Sequence, residues 1–169
     1  MPPYASTVSR SQVARVVSGG QSGVDRAGLD AAIAAEVAYG GWCPRGGWAE
    51  DLPNPPGLLA HYPLLREAPS ADPDVRTHLN VRDSHATLIV RAAQTVSPGT
   101  DATTAAAERL GRPVLVSDGD PDRVRAWLDG LGRELTLNVA GPRASEQPDA
   151  YDLTRALLDR LLRDPHDGT

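Results

Sequence analysis

The segment Val16-Val17-Ser18-Gly19-Gly20-Gln21-Ser22-Gly23-Val24-Asp25-Arg26 decides the fold. An apolar run from Val13 to Val17 ends in two glycines, and a polar loop then leads into a helix predicted over 24–36. A strand, a glycine turn and a helix start expose backbone N–H groups at the positive end of a helix dipole, which favours an anion, most often phosphate. The segment is neither G-x-x-x-x-G-K-[ST] nor G-x-G-x-x-G. Taken alone, the segment is compatible with two interpretations: a phosphate-binding site, or an ordinary strand-to-helix turn that binds no ligand.

The residues of this turn suit an anion. The Gly19-Gly20 pair accepts positive φ angles and, lacking side chains, lets a ligand approach the backbone. Gln21 and Gly23 complete the polar loop and belong to the predicted site. Ser22 can cap the helix or donate its hydroxyl to a ligand. Arg26, in the first helical turn, could reach a phosphate with its planar set of donors.

Composition restricts the class of protein. The 169 residues are most simply one domain, and a chain of that length buries about 70% of its unfolded surface. The net charge is −5 without any basic block, so a nucleic-acid partner is not expected. The single Cys43 excludes an internal disulfide and a cysteine metal cluster, and it indicates a reducing compartment. We expect a domain over 13–163 and flexible tails at 1–12 and 164–169.

Three classes of function are not expected. No apolar run has the length of a membrane span, and residues 1–12 lack the apolar core of a signal peptide, so we expect a cytoplasmic protein. The four histidines have no metal-ligand spacing, so no metal site is expected. No helper residue near Cys43 in sequence would activate a thiolate, which favours a buried, inert thiol over a nucleophile.

Apolar runs alternate with helical patterns along the rest of the chain. Strands are predicted over 37–42, 62–67, 86–90, 114–117 and 135–140, and helices over 74–84, 102–110, 120–131 and 150–162. The strands at 86–90 and 114–117 are expected to be buried, whereas Pro63 places the strand at 62–67 on an edge. The segment 43–61 is expected to form a long irregular loop. The alternation predicts an α/β fold with a mostly parallel sheet and right-handed crossovers.

Three predicted turns contain glycine and follow strands: Gly19-Gly20, Gly99 and Gly141. Because ligands of open parallel sheets lie at the carboxyl ends of the strands, we expect these turns to converge on one site. Thr100 and Thr103 begin the helix after the second turn, where they can donate to a phosphate or serve ordinary helix capping. The convergence strengthens the ligand interpretation beyond what any single turn supports.

Other polar side chains lie next to the strands. Asn138 and Arg143 flank the third glycine turn, where either could clamp an anion or a planar polar ring. Arg82, Asp83 and Ser84 precede the strand at 86–90, and their residue types alone favour helix capping.

Several ordered motifs carry a family resemblance. They are SGGQSGVDR at 18–26, GWCPRG at 41–46, AED at 49–51, YPL at 62–64, RT at 76–77, NVRDS at 80–84 and LNVAGPR at 137–143. Together they resemble the putative molybdenum carrier family, which looks like the molybdenum cofactor carrier proteins and belongs with the lysine-decarboxylase-like proteins. The match runs from about Val16 to Leu162. It implies a single-domain, Rossmann-like three-layer sandwich.

The resemblance also implies a function. Members would be cytoplasmic homo-oligomers, dimers or tetramers, that bind and protect molybdenum cofactor (molybdopterin) and could pass it to molybdoenzymes. The phosphate of that cofactor would lie on the 19–23 turn, with charge-assisted hydrogen bonds from Arg26, Arg82 and Arg143, and with Asp83 and Ser84 in the same site. Protection would require burial and no catalytic residue. The loop 43–61 would act as a lid.

Two other interpretations stay open. Related phosphoribohydrolases, which cleave nucleoside monophosphates, carry P-G-G-x-G-T-x-x-E, whereas this chain has PGTDATTAA at 98–106. Ala106 stands in place of the catalytic Glu, which argues against the same hydrolysis because an acid–base carboxylate contributes about 10²–10⁴-fold in rate. A sensor that binds a nucleotide or an ADP-ribose-like molecule would use the same turns.

Overall fold

The computed structural model describes residues 12–163, which form an α/β domain. The strands are β1 (Val13–Val17), β2 (Ala38–Gly40), β3 (Trp42–Cys43), β4 (Arg66–Glu67), β5 (Ala86–Val90), β6 (Val114–Ser117) and β7 (Leu135–Ala140). The helices are α1 (Val24–Ala34), α2 (Leu58–His61), α3 (Pro73–Arg82), α4 (Pro98–Leu110), α5 (Pro121–Leu131) and α6 (Ala150–Leu161). The tails predicted at 1–12 and 164–169 lie outside the described residues except for Gln12, whose carbonyl accepts a hydrogen bond from the Leu135 N–H.

The main sheet has the strand order β2-β1-β7-β5-β6, and every neighbouring pair is parallel. The connection from β1 to β2 moves towards one edge of the sheet, and the connection from β5 to β6 moves towards the other. Right-handed crossovers in opposite directions place α1 and α4 on opposite faces. The predicted three-layer, Rossmann-like arrangement is therefore confirmed, and the carboxyl ends of β1, β7 and β5 lie side by side at the centre of the sheet.

The core lies on both faces of this sheet. On one face, α1, α5 and α6 pack apolar side chains such as Val24, Leu128 and Leu158 against Leu88 and Leu137. On the other face, α3 and α4 pack on each other around Val81, Ala106 and Ala107. All five residues of β5 are buried, as predicted for a strand covered on both faces.

Several element predictions need correction. The helix predicted over 24–36 ends at Ala34, and Glu36 takes a positive φ of 57°. The strand predicted over 37–42 is divided, because Gly41 adopts φ 122° and sends β3 into a separate two-stranded sheet with β4. Of the strand predicted over 62–67, only Arg66–Glu67 pairs. The helix predicted over 102–110 already begins at Pro98, so Gly99 lies within its first turn.

Burial and loop structure also differ from the sequence-based expectation. The strand β6 is an edge strand rather than a buried one, and its Val116 is 42% exposed. The segment 43–61 contains the one-turn helix α2 and an isolated bridge between Ala49 and Leu52. It packs an apolar cluster that includes Cys43, Ala49 and Leu58 against α1. This loop is therefore a folded part of the domain.

Candidate functional site

A cavity with a volume of about 30 Å³ lies at the carboxyl ends of β1 and β7, next to the start of α4. The residues that line it come from four segments of the chain: Gln21, Asp25, Arg76, Ser97, Gly99, Thr100, Thr103, Ala140, Gly141, Arg143 and Glu146. Residues from all three glycine-containing turns therefore meet at one cavity, as the sequence predicts. A volume of this size holds one or two water molecules, or a group about as large as a phosphate.

Arg76 of α3 supplies the principal positive charge of this cavity. Its side chain is only 14% exposed, and its Nη1 lies 3.4 Å from Oδ2 of Asp25. The guanidinium lies against the backbone of Gly19, since a Cβ on Gly19 would be 2.2 Å from Nη1. The Nε of Arg76 is buried without a hydrogen-bond partner. An unpaired buried N–H of a charged group is costly, and a ligand oxygen in the cavity would satisfy it.

Asp25 connects the segments that build the cavity. Burial raises the pKa of its carboxyl, while Arg76 and backbone hydrogen bonds from Gln21 and Gly141 act in the opposite direction. Its own carbonyl accepts a hydrogen bond from Ser18 Oγ at 2.8 Å. Asp25 therefore links the turn after β1, the turn after β7 and helix α3.

Hydroxyl groups at the start of α4 form the opposite wall. Ser97 and Thr100 share a 2.6 Å hydrogen bond between their Oγ and Oγ1 atoms, and Ser97 Oγ also donates to Glu146 at 2.9 Å. Thr103 Oγ1 donates to the Gly99 carbonyl at 3.0 Å. All three hydroxyl residues are buried. The first backbone N–H groups of α4 have no partner within the helix, so this wall can donate to an anion.

Arg143 lies at the rim of the cavity between two carboxylates. Its Nη1 lies 3.8 Å from Oε2 of Glu50, and its Nε lies 3.8 Å from Oε1 of Glu146. Glu50 also accepts hydrogen bonds from Ser22 Oγ at 2.5 Å and from Ser145 Oγ at 2.6 Å. Burial alone would raise the pKa of Glu50, but the hydrogen bonds from Ser145 and Ser22 hold it below its ordinary value. The 43–61 loop is thus attached to the turns around the cavity.

Arg26 makes the second attachment of this loop. Its two terminal nitrogens donate to the two carboxylate oxygens of Asp51, both at 2.9 Å, and its Nε donates to the Gly20 carbonyl at 3.1 Å. The guanidinium carbon is 5.9 Å from the centre of the Tyr62 ring. The hydrogen bond from Arg26 holds the pKa of Asp51 below its ordinary value. Arg26 thus faces the loop and does not line the cavity.

Other residues of the first turn support the cavity from outside. Gly20 faces the side chains of Leu58 and Leu65. Gly23 has a φ of 81° and lies against the Pro142 carbonyl, so it is the N-cap of α1. Ser22 therefore does not cap this helix.

The remaining predicted site residues lie elsewhere. Asn138 is buried within the sheet and donates to Thr87 Oγ1 at 3.2 Å. Arg82 and Asp83 form an exposed pair at 2.7 Å, and Ser84 Oγ donates to the Asn80 carbonyl at 2.6 Å, as expected for the end of a helix.

Sequence reasoning missed five lining residues: Asp25, Arg76, Ser97, Ala140 and Glu146. A signal existed for Arg76. The inward face of α3 carries the polar positions 76, 77 and 80, and Thr77 and Asn80 are buried. A helix whose buried face is polar indicates a polar site beneath it.

Two other sequence expectations concern single residues. Cys43 is buried and donates weakly to the Arg66 carbonyl, in agreement with the prediction of a buried thiol. Burial, followed by the charge of Glu67, raises the pKa of this thiol to about 11. Ala106 packs with Val81 and Ala107 between α3 and α4, so position 106 lies outside the cavity.

Within residues 12–163, no group of three or more His, Cys, Asp or Glu side chains could hold a metal ion. None of the described helices is long and apolar enough to cross a membrane.

Comparison with known proteins gives two findings. Residues 16–162 match the sequence model of the circularly permutated YpsA SLOG family. The crystal structure of the "Putative molybdenum carrier protein" from Syntrophus aciditrophicus SB is similar, with a TM-score of 0.80 and 36% sequence identity over 90% of this chain and 97% of that one. A comparison with curated proteins gives no match.

Proposed function

Because the chain belongs to the circularly permutated YpsA SLOG family, we propose that it is a ligand-binding carrier whose cavity holds the phosphate of a phosphorylated pterin, the molybdenum cofactor. The similar structure from Syntrophus aciditrophicus is that of a "Putative molybdenum carrier protein", which supports the class of cargo. The ligand would lie at the carboxyl ends of the central strands, where parallel sheets of this kind bind phosphorylated compounds.

The observation that carries this proposal is the buried Arg76 Nε without a partner beside the cavity. The N–H groups at the start of α4 and the buried hydroxyls of Thr100 and Thr103 lie on the other side. A phosphate between them would accept charge-assisted hydrogen bonds from Arg76 and neutral ones from α4. These donors fit an anion and offer no set of metal ligands, so the protein would hold the cofactor through its organic part.

The cavity is large enough for only one part of the ligand. About 30 Å³ accepts the phosphate, whereas sites for whole drug-sized molecules measure roughly 300–1,000 Å³. The pterin ring would therefore lie beyond the rim, next to Arg143 and the 43–61 loop. Arg143 has charged neighbours only at 3.8 Å, so its planar donors are available to a polar ring.

The 43–61 loop would act as a lid over the ring. In the loop, Glu50 accepts hydrogen bonds from Ser22 and Ser145, and Asp51 accepts hydrogen bonds from Arg26. A ring beside Arg143 would lie next to these contacts, because Glu50 Oε2 is 3.8 Å from Arg143 Nη1. Limited proteolysis tests this role: we expect faster cleavage within 43–61 in the free protein than with ligand, and equal cleavage would contradict the lid.

One observation favours a second candidate, a nucleotide hydrolase. Two carboxyl groups, Asp25 and Glu146, line the cavity, and burial raises the pKa of Asp25. A carboxyl group in that state can act as a general acid or base beside a bound phosphate ester. Ala106 lies outside the cavity, so such an enzyme would not use the position of the phosphoribohydrolase Glu. We rank the carrier first because a carrier requires no catalytic group.

In the cell, we propose a cytoplasmic homo-oligomer, dimer or tetramer, that delivers cofactor to molybdoenzymes. The carrier name of the Syntrophus aciditrophicus relative supports a cargo and hence an acceptor.

Thermal unfolding against a ligand panel tests the function. The panel contains molybdenum cofactor, its metal-free pterin, molybdate, tungstate, AMP, CMP and ADP-ribose. A ligand at a hundred times its Kd stabilises the folded state by about 2.7 kcal/mol. We expect a shift with the pterin forms that Arg76→Gln removes and that Arg26→Ala weakens by loosening the loop. A shift with nucleotides alone would contradict the carrier, and release of free base would then identify the hydrolase.

A further inference from the structure

A second cavity, with a volume of about 80 Å³, lies between β1, helix α3 and the two-stranded sheet. Its lining includes Arg15, Gly41, Trp42, Arg66, Asn80 and Asp83, and none of these residues lines the first cavity. The cavity is therefore a separate feature of the surface.

Two arginines without an ion pair face this cavity. Among residues 12–163, Arg26, Arg76, Arg143 and several other arginines lie within 4.0 Å of a carboxylate, but Arg15 and Arg66 do not. The Arg15 guanidinium lies across Gly40, where a Cβ would be 2.1 Å from Nη2. Gly40 thus leaves the space that the guanidinium occupies.

The charges in the cavity do not cancel. Its one carboxylate, Asp83, already accepts hydrogen bonds from Arg82 at 2.7 and 3.1 Å and from the Trp42 indole at 2.9 Å. Those hydrogen bonds, that of Arg82 above all, hold the pKa of Asp83 below its ordinary value, and the charge of Arg66 adds to this. The lining therefore carries two positive charges, on the exposed Arg15 and Arg66, against one negative charge on Asp83.

The strand β3, which pairs with the Arg66 strand β4, is held to α3 by hydrogen bonds. The guanidinium carbon of Arg66 is 5.8 Å from the centre of the Trp42 ring. The backbone N–H of Trp42 donates to Asn80 Oδ1 at 2.8 Å, and Asn80 Nδ2 donates to the backbone carbonyl of Trp42 at 2.9 Å. Asn80 is 2% exposed, so α3 holds this strand firmly. A donor on a fixed support loses less freedom when it binds a ligand.

We propose that this second cavity binds a small oxyanion between Arg15 and Arg66, independently of the phosphate site at Arg76. Guanidinium groups donate pairs of parallel hydrogen bonds to carboxylates and to tetrahedral oxyanions. A volume of about 80 Å³ accommodates one such group.

The Trp42 indole N–H reports on this cavity directly. The chain has three Trp residues, so the ¹⁵N-labelled protein gives three indole signals, and Trp42→Phe identifies the relevant one. Phosphate, molybdate and acetate are titrated against sodium chloride at equal ionic strength. We expect the Trp42 signal to move and saturate with at least one oxyanion and not with chloride. The comparison of acetate with the tetrahedral ions identifies the class of oxyanion.

Variants separate the two cavities. We expect Arg15→Gln combined with Arg66→Gln to weaken the effect on Trp42 by about tenfold or more. Arg76→Gln, and the exposed Arg123→Gln as a matched control, should leave it unchanged. The signals of Trp48 and Trp127 verify folding. If the double variant is unfolded, the single variant Arg15→Gln replaces it in the titration. The proposal is overturned if chloride moves the Trp42 signal equally, or if loss of these arginines has no effect.

Discussion

Replacement of Gly19 by Ala is expected to displace the Arg76 guanidinium and to weaken phosphate binding. A Cβ at position 19 would lie 2.2, 2.5 and 2.8 Å from Nη1, Cζ and Nε of Arg76, closer than any real contact. Gly19 does not have a positive φ, so Ala fits its backbone. The effect therefore comes from the position of Arg76 and not from backbone strain.

The magnitude follows from the contact that is lost. A hydrogen bond to a charged group contributes about 1.5–3 kcal/mol, so we expect phosphate affinity to fall by about ten- to a hundredfold. Asp25 would also lose its partner at 3.4 Å. Since Asp25 is buried, we expect the free energy of unfolding to fall by about 1–3 kcal/mol.

Calorimetric titration with inorganic phosphate measures the affinity, with Arg15→Gln and Arg66→Gln present in both proteins so that the second cavity does not contribute. Urea denaturation measures the stability. Gly130→Ala is the matched control, because a Cβ at position 130 meets nothing within 4 Å. That control should raise the stability by up to about 1 kcal/mol and leave the affinity unchanged. Unchanged phosphate affinity in Gly19→Ala would refute the assignment of Arg76 as the phosphate donor.

Three further predictions concern the loop, the thiol and the core. Glu50→Gln should speed proteolysis within 43–61 severalfold. The folded-state pKa of Glu50 is lowered, so wild-type protection should be complete above the unfolded-state pKa of about 4.3 and should be lost as the pH falls through the lower folded-state pKa. Cys43 should resist iodoacetamide at pH 8 until the protein unfolds, because burial raises its pKa to about 11; rapid labelling of the folded protein would contradict this. Leu137→Ala should cost about 2–5 kcal/mol in urea denaturation, and a loss below 1 kcal/mol would place Leu137 outside the core.

Much of the fold could be predicted from local patterns. The strands at 86–90 and 135–140 and the order of helices are plain in the sequence, because apolar runs and helical spacing dominate there. The predicted burial of 114–117 was wrong because strand order depends on long-range pairing, which places β6 at the edge. The division at Gly41 depends on its close approach to the Ser18 backbone, which no local pattern reveals.

The candidate site was predictable only where it lies on the turns. The glycine turns meet because the sheet is parallel, and that follows from the alternation of elements. Arg76 reaches the cavity through the packing of α3 beside Gly19, a contact between residues far apart in sequence. Arg26 was predicted for the site from its place in the first helical turn. Its guanidinium instead forms an ion pair with Asp51 of the loop, a residue distant from it in sequence. Tertiary partners therefore decide which of Arg26 and Arg76 faces the cavity.

A crystal structure of the protein with the metal-free phosphorylated pterin tests the central claim most directly. We expect the phosphate within hydrogen-bond distance of Arg76 Nε and of the first turn of α4, with the ring beside Arg143 under the 43–61 loop. A phosphate bound away from Arg76, or a protein that excludes the pterin while binding a nucleotide in the same cavity, would contradict the carrier function.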